Sequence, residues 1–118
     1  MYERIININE EEVLREADEI IAGELDELNR RSRYCYTSTE IGRAYGMSGS
    51  DLNSFLMDRK IIYKTAGCYH IARKYRDLQL TAYRYTMRYN HHGRRMLKAS
   101  LVWTEEGRQF LREVIDNG

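Results

Sequence analysis

His91 and His92 stand side by side ahead of Gly93, and Cys68 and His70 are spaced i, i+2, so each pair offers two ligands to a metal. A zinc site needs three or four. Adjacent histidines on a strand or turn are expected to point apart, and no Asp or Glu lies within ten residues of them to complete or orient a site. Cys35 and Cys68 are the two cysteines, 33 positions apart and outside any CxxC pattern, so neither a disulfide framework nor a paired-thiolate zinc site is supported. Ten tyrosines offer phenol nucleophiles of the kind a strand-nicking enzyme uses, but no base, nucleophile and orienting group can be named together. Phosphate-loop and dinucleotide patterns are absent. The residues therefore lead to the expectation of no enzyme, no cofactor and no metal.

Contact with a polyanion is better supplied. Ser48, Ser50, Asn53 and Ser54 place hydroxyls and one amide where a helix could present them to base edges, and an Asn amide can make two bonds to adenine. Lys64, Arg84, Arg88, Arg94, Arg95 and Lys98 are candidates for phosphate, with the last five on two strands and the glycine turn between them. Asp51 and Asp58 oppose phosphate, so the basic hairpin is expected to contribute most of the affinity. The formal net charge of +1 hides this division. Met1 to Arg30 carries 3 basic and 10 acidic residues, net −7; Arg31 to Trp103 carries 14 and 4, net +10; Thr104 to Gly118 carries 2 and 4, net −2. A basic body with an acidic arm is bipolar, and the body is what double-stranded DNA would meet.

These residues need elements to hold them, and in a chain without proline the boundaries come from caps and glycines. Asn9 with Glu12, Thr37 with Glu40 and Ser48 with Asp51 each form a capping box, with staples Ile8 to Val13, Tyr36 to Ile41 and Met47 to Leu52. Thr104, followed by Glu105 and Glu106, marks a further helix start. The pattern predicts helices over Glu10 to Arg30, Ser38 to Tyr45 and Gly49 to about Arg59, and a closing helix with Phe110, Leu111, Val114 and Ile115 on one stripe. Only Gly46, Met47 and Ser48 separate the second and third helices, a helix-turn-helix spacing. Ile61 to Lys64 and Cys68 to Ile71 form a short hairpin about Ala66 and Gly67. Tyr83, Tyr85, Met87 and Tyr89, then Leu97, Ala99, Leu101 and Trp103, alternate with polar and basic residues on either side of Asn90 to Gly93, giving a long hairpin with one apolar and one basic face. Alternation also explains the tyrosines more cheaply than a platform for stacking bases.

At 118 residues there is one core to build, and 42% apolar with 31% charged residues is a globular mixture. No run approaches about 18 uncharged apolar residues, and Glu3 and Arg4 are unlike a signal peptide's start, so the expectation is a cytoplasmic protein with no membrane role. The fold class expected is α+β, a winged helix-turn-helix with β-hairpin wings preceded by an acidic amphipathic N-terminal helix. Residues 1–33 form that helix and a polar hinge at Arg30, Arg31, Ser32 and Arg33, and residues 34–118 form the winged-helix domain. Leu14, Ala17, Ile21, Leu25 and Leu28 make a regular stripe on the first helix. Because a lone helix of this length containing Gly23 is marginal in water, the stripe is expected to pair two copies into a homodimer.

The run from Thr37 to Ser48 (Thr-Ser-Thr-Glu-Ile-Gly-Arg-Ala-Tyr-Gly-Met-Ser), then Leu52-Asn-Ser-Phe-Leu, Ile61-Ile-Tyr-Lys and Trp103-Thr-Glu-Glu-Gly-Arg-Gln-Phe, resembles the C-terminal, KilA-C domain of phage antirepressor proteins. The resemblance covers about Cys35 to Ile115, with its pieces in the family's order. It implies a phage or prophage regulator of transcription that binds DNA, acting inside the bacterial host. In that family a separate N-terminal module usually precedes the domain, where this chain has the acidic helix. The third helix carries Gly49, Ser50, Asp51 and Ser54 in place of the lysines the resemblance leads one to look for. The alternative reading is a protein-interaction module whose neutral third helix and tyrosine face bind a repressor or another phage protein.

Overall fold

The computed structural model describes residues 10–118, with side chains from Glu19 onward. The Ile8 staple, the Asn9 cap and the side chains of Leu14 and Ala17 lie outside the described residues. The elements follow in the order α1 (Glu10–Leu28), a 3-10 turn (Arg30–Ser32), α2 (Ser38–Arg43), α3 (Gly49–Asp58), β1 (Ile62–Thr65), β2 (Cys68–Ile71), a 3-10 turn (Arg73–Leu78), β3 (Thr81–Tyr89), β4 (Arg95–Trp103) and α4 (Glu105–Asn117). The class is α+β. No helix among the described residues is long and apolar enough to cross a membrane.

Side-chain caps set where α2, α3 and α4 begin. The Glu40 amide donates to Thr37 Oγ1 at 3.1 Å and the Thr37 amide donates back to Glu40 Oε1 at 3.0 Å, a complete capping box. That backbone donor holds the Glu40 carboxyl below its usual range. Ser48 accepts from the Asp51 amide at 3.0 Å, and Thr104 accepts from the Gly107 amide at 3.0 Å. α2 is shorter than the spacing suggested, because Gly46 at φ +71° turns the chain and the Gly42 carbonyl takes amides from both Tyr45 and Met47. The turn is tight enough that a Cβ on Gly42 would stand 2.7 Å from the Met47 carbonyl oxygen.

Leu52 and Leu56 of α3, Leu111 of α4 and Trp103 of β4 are fully buried and form the centre of the core, with Ile41, Ile61, Ile62, Ile71, Leu80 and Leu101 around them. Burial of a large apolar side chain contributes about 1.5–3 kcal/mol, so these positions fix how the helices sit on the strands. Trp103 is also tied through its backbone, exchanging amide and carbonyl with Tyr36 at 2.7 Å in each direction. α4 sits against β4 and the residue leading into β3, where a Cβ on Gly107 would overlap the Leu80 carbonyl oxygen.

The two hairpins are separate two-stranded antiparallel sheets. In β3–β4, Tyr83 pairs with Leu101, Tyr85 with Ala99, Met87 with Leu97 and Tyr89 with Arg95, so the odd-numbered residues of both strands share a face. Arg84, Arg88 and Lys98 occupy the other face, opposite or diagonal to Thr86, Met96 and Ser100. Arg95 therefore falls on the tyrosine face, not beside Arg88, because the turn's residue count puts it across from Tyr89.

The segment expected to be a polar hinge is fastened to the sheet. Asn29 Nδ2 donates to the Tyr85 carbonyl at 2.8 Å and its Oδ1 accepts the Tyr85 amide at 2.7 Å. Ser32 is fully buried and its hydroxyl donates to the Asn29 carbonyl at 3.1 Å. Polar composition suggested freedom, but Asn29 and Ser32 both meet backbone partners.

Candidate nucleic-acid interface

The first turns of α2 and α3, the β1–β2 turn and the even-numbered face of β3–β4 enclose a cleft of about 480 Å³. Ser38 and Thr39 come from α2, Ser50 and Asn53 from α3, and Thr86, Lys98 and Ser100 from the long hairpin. Hydroxyls, an amide and an ammonium thus converge, and no carboxylate is among the residues lining it. The close approach of the two helices depends on Gly49, where a Cβ would meet Thr39 Oγ1 at 2.6 Å. Such a lining suits an anionic, hydrogen-bonding ligand, since charge of one sign faces the opening.

The residues singled out from the sequence divide between this cleft and its surroundings. Ser50, Asn53, Arg84 and Lys98 line it. Ser48, whose hydroxyl caps α3, and Ser54, exposed on the next turn, are both outside the lining. Arg88 is exposed on the same strand face as Lys98, one diagonal step toward the tip. Lys64 is exposed on β1 with its ammonium 5.2 Å from the Tyr69 ring. Arg94 is in the turn, where Asn90 Oδ1 accepts its amide at 2.9 Å. Ile21 and Leu25 of the α1 stripe are half-buried, and Leu28 is exposed.

Arg84 has a role the alternation pattern did not disclose. Its Nη2 donates to the carbonyls of Ser32 at 2.8 Å and Cys35 at 3.0 Å, so it anchors the chain leading into α2. A guanidinium with two bonds to backbone carbonyls is a positioning group first. Cys35 lies beside it, and burial pushes its thiol up, away from the reactive thiolate. The Cys68 thiol donates to the Ala99 carbonyl at 3.3 Å, joining the short hairpin to the long one.

Two further contacts concern the residues weighed for catalysis. His91 and His92 do not point apart: their rings lie 4.0 Å apart between centroids, because both occupy the turn, where strand alternation no longer applies. Among the described residues no group of three or more His, Cys, Asp or Glu is placed to hold a metal. His70 Nδ1 and the Tyr83 hydroxyl are 2.6 Å apart, and the Tyr63 ring is tilted against His70 with 5.3 Å between centroids. Burial pushes the Tyr83 phenol up. The sequence pattern gave each of these residues a strand; the β1–β2 register pairs Tyr63 with His70, and the packing of one hairpin on the other brings Tyr83 to them.

Compared with known proteins, residues 15–117 match the family model described as phage antirepressor protein KilAC domain. The match begins inside α1, upstream of the segment fastened at Asn29. No curated protein and no solved structure matches.

Proposed function

Since the chain belongs to the phage antirepressor KilAC domain family, we propose that it is a non-enzymatic regulator of transcription, a winged helix-turn-helix that grips double-stranded DNA between α3 and the β3–β4 wing. The observation that carries this reading is the shared cleft: Ser50 and Asn53 of the helix and Lys98 of the hairpin open onto one space whose lining has no carboxylate. Asn53 would read a base through its amide, and Ser50 and Ser54 would add single hydrogen bonds. Lys98 and Arg88 would hold phosphates on the flanking backbone, which positions the helix but carries no sequence information. Arg84 serves the site by holding the 3-10 turn and the start of α2 in place. Asp51, exposed on the first turn of α3, keeps that helix from binding DNA on charge alone. The place of action is the cytoplasm of a bacterial host.

The test is selection from a random duplex library with the full chain. The reading expects one enriched sequence, and loss of that enrichment in Asn53→Ala. A folded chain that retains no duplex would overturn it and favour a module that binds a repressor protein.

A further inference from the structure

A second cleft, of about 340 Å³, lies between the short hairpin, the Arg73–Leu78 turn and the start of β3. It shares no residue with the cleft assigned to DNA. Neighbours along a strand divide between the two, Tyr69 and Arg84 to the first, His70 and Tyr83 to the second. The volume suits a small molecule. Tyr63 keeps 42% of its surface exposed, and its ring continues a run of aromatic planes, 5.3 Å from His70, which stands edge-on to Tyr83 at 5.7 Å. Ile71 supplies a buried apolar stretch of wall. Arg76 brings an exposed guanidinium that no carboxylate pairs among the described residues, and Arg73 and Lys74 of the same turn add charge of the same sign. No Asp or Glu is among the residues lining the cleft, and Asp77, which follows Arg76 in the chain, is outside the lining.

The bond between His70 and Tyr83 leaves a donor over. Burial keeps the Tyr83 phenol protonated, so with a neutral imidazole the pair holds two hydrogens. One lies between Nδ1 and the hydroxyl oxygen, 2.6 Å apart, and the other is on Nε2 or on the hydroxyl, whichever tautomer is taken. A charged imidazole adds one more. Thr81 contributes a further hydroxyl to the lining. Holding the two hairpins together requires the His70–Tyr83 bond alone, and gives no reason for a cation and an open ring to share its space. We propose that this cleft binds a small aromatic anion, its ring against Tyr63 and its carboxylate or phosphate on the Arg76 guanidinium and the spare donor of the His70–Tyr83 pair. The site is separate from the DNA reading and stands or falls without it.

Calorimetry on the full chain, with amide NMR to locate the contact, tests this with benzoate and phenyl phosphate as probes. At least one should bind saturably and shift the amides of Tyr63, His70, Arg76 and Tyr83, and the tighter of the two identifies the head group. Benzyl alcohol, a ring without charge, and inorganic phosphate, a charge without a ring, should each bind about tenfold or more weakly than the better probe. Arg76→Gln and Tyr63→Ala, both at exposed positions, should each weaken that probe by about tenfold, whereas Arg112→Gln on α4 should leave it unchanged. The proposal is overturned if neither probe binds the folded chain, if inorganic phosphate binds as tightly as phenyl phosphate, or if Arg76→Gln binds as tightly as the parent. Shifts confined to the basic wing would overturn it too, since charge alone would then account for the binding. Every measurement is made without duplex, so none depends on whether the chain binds DNA.

Discussion

Asn29 faces Tyr85 across the free edge of β3 and meets its amide and carbonyl with both ends of its own side-chain amide, at 2.7 and 2.8 Å. A side chain here does the work of one residue of a third strand, satisfying an edge that would otherwise be open. It also decides where α1 leaves the body.

Asn29→Ala removes both bonds and leaves the Tyr85 backbone unpaired in a half-buried place. The expected cost is about 1–3 kcal/mol in urea unfolding, with faster amide exchange at Tyr85. Unchanged stability and exchange would mean that the clamp is incidental.

Two glycines should respond in opposite directions. Gly107→Ala drives a methyl against the Leu80 carbonyl oxygen, where an ideal Cβ would stand at 2.0 Å, and should destabilise by roughly 3 kcal/mol. At Gly23 an added Cβ meets nothing within 4 Å, so Gly23→Ala should favour α1 by about 1 kcal/mol of helix propensity. Thermal unfolding of the two variants beside the parent reads both signs.

Acid should loosen the start of α4. Glu105 accepts from Arg108 Nε at 2.9 Å, and that contact, followed by Tyr36, lowers its carboxyl from 4.5 to about 2. A depressed carboxyl contributes stability that is present above pH 4.5 and is lost as pH falls through about 2. Unfolding midpoints measured from pH 6 down to about 2 should fall, and Glu105→Gln should flatten part of that slope. An identical slope in both proteins would remove Glu105 as a source.

The local part of this structure was legible in the sequence. Thr37, Ser48 and Thr104 cap the helices they were expected to cap, since a cap is decided by three or four consecutive residues. Strand alternation located the long hairpin, and two short runs about Ala66 and Gly67 located the other, for the same reason. What could not be read depends on register and on long-range backbone partners. One turn length put Arg95 on the tyrosine face. Arg84 looked like any other cation on a polar face, because nothing near it in sequence shows that Ser32 and Cys35 would offer it carbonyls. The 3-10 turn of Arg73–Leu78 has neither helical nor strand period and left no pattern. The cleft joins residues as far apart as Ser38 and Ser100, and its parts were nameable singly but not as one site.

The proposed base reading turns on Asn53. Asn53→Ala should cost about 1–3 kcal/mol at one base pair of the selected sequence while leaving affinity for random duplex nearly unchanged. A uniform loss across all sequences would show instead that the side chain serves packing at the cleft wall.

The central claim, that α3 and the basic wing together grip duplex DNA, is met most directly by the salt dependence of binding in the parent and in Arg88→Glu with Lys98→Glu. For the parent, the logarithm of affinity for random duplex should fall linearly with the logarithm of salt, with a slope of about −4 to −5. The variant should bind more weakly on every sequence, with the slope reduced by about two. Equal affinity and equal slope in the two proteins would contradict the account, because the wing would then be a solvated face.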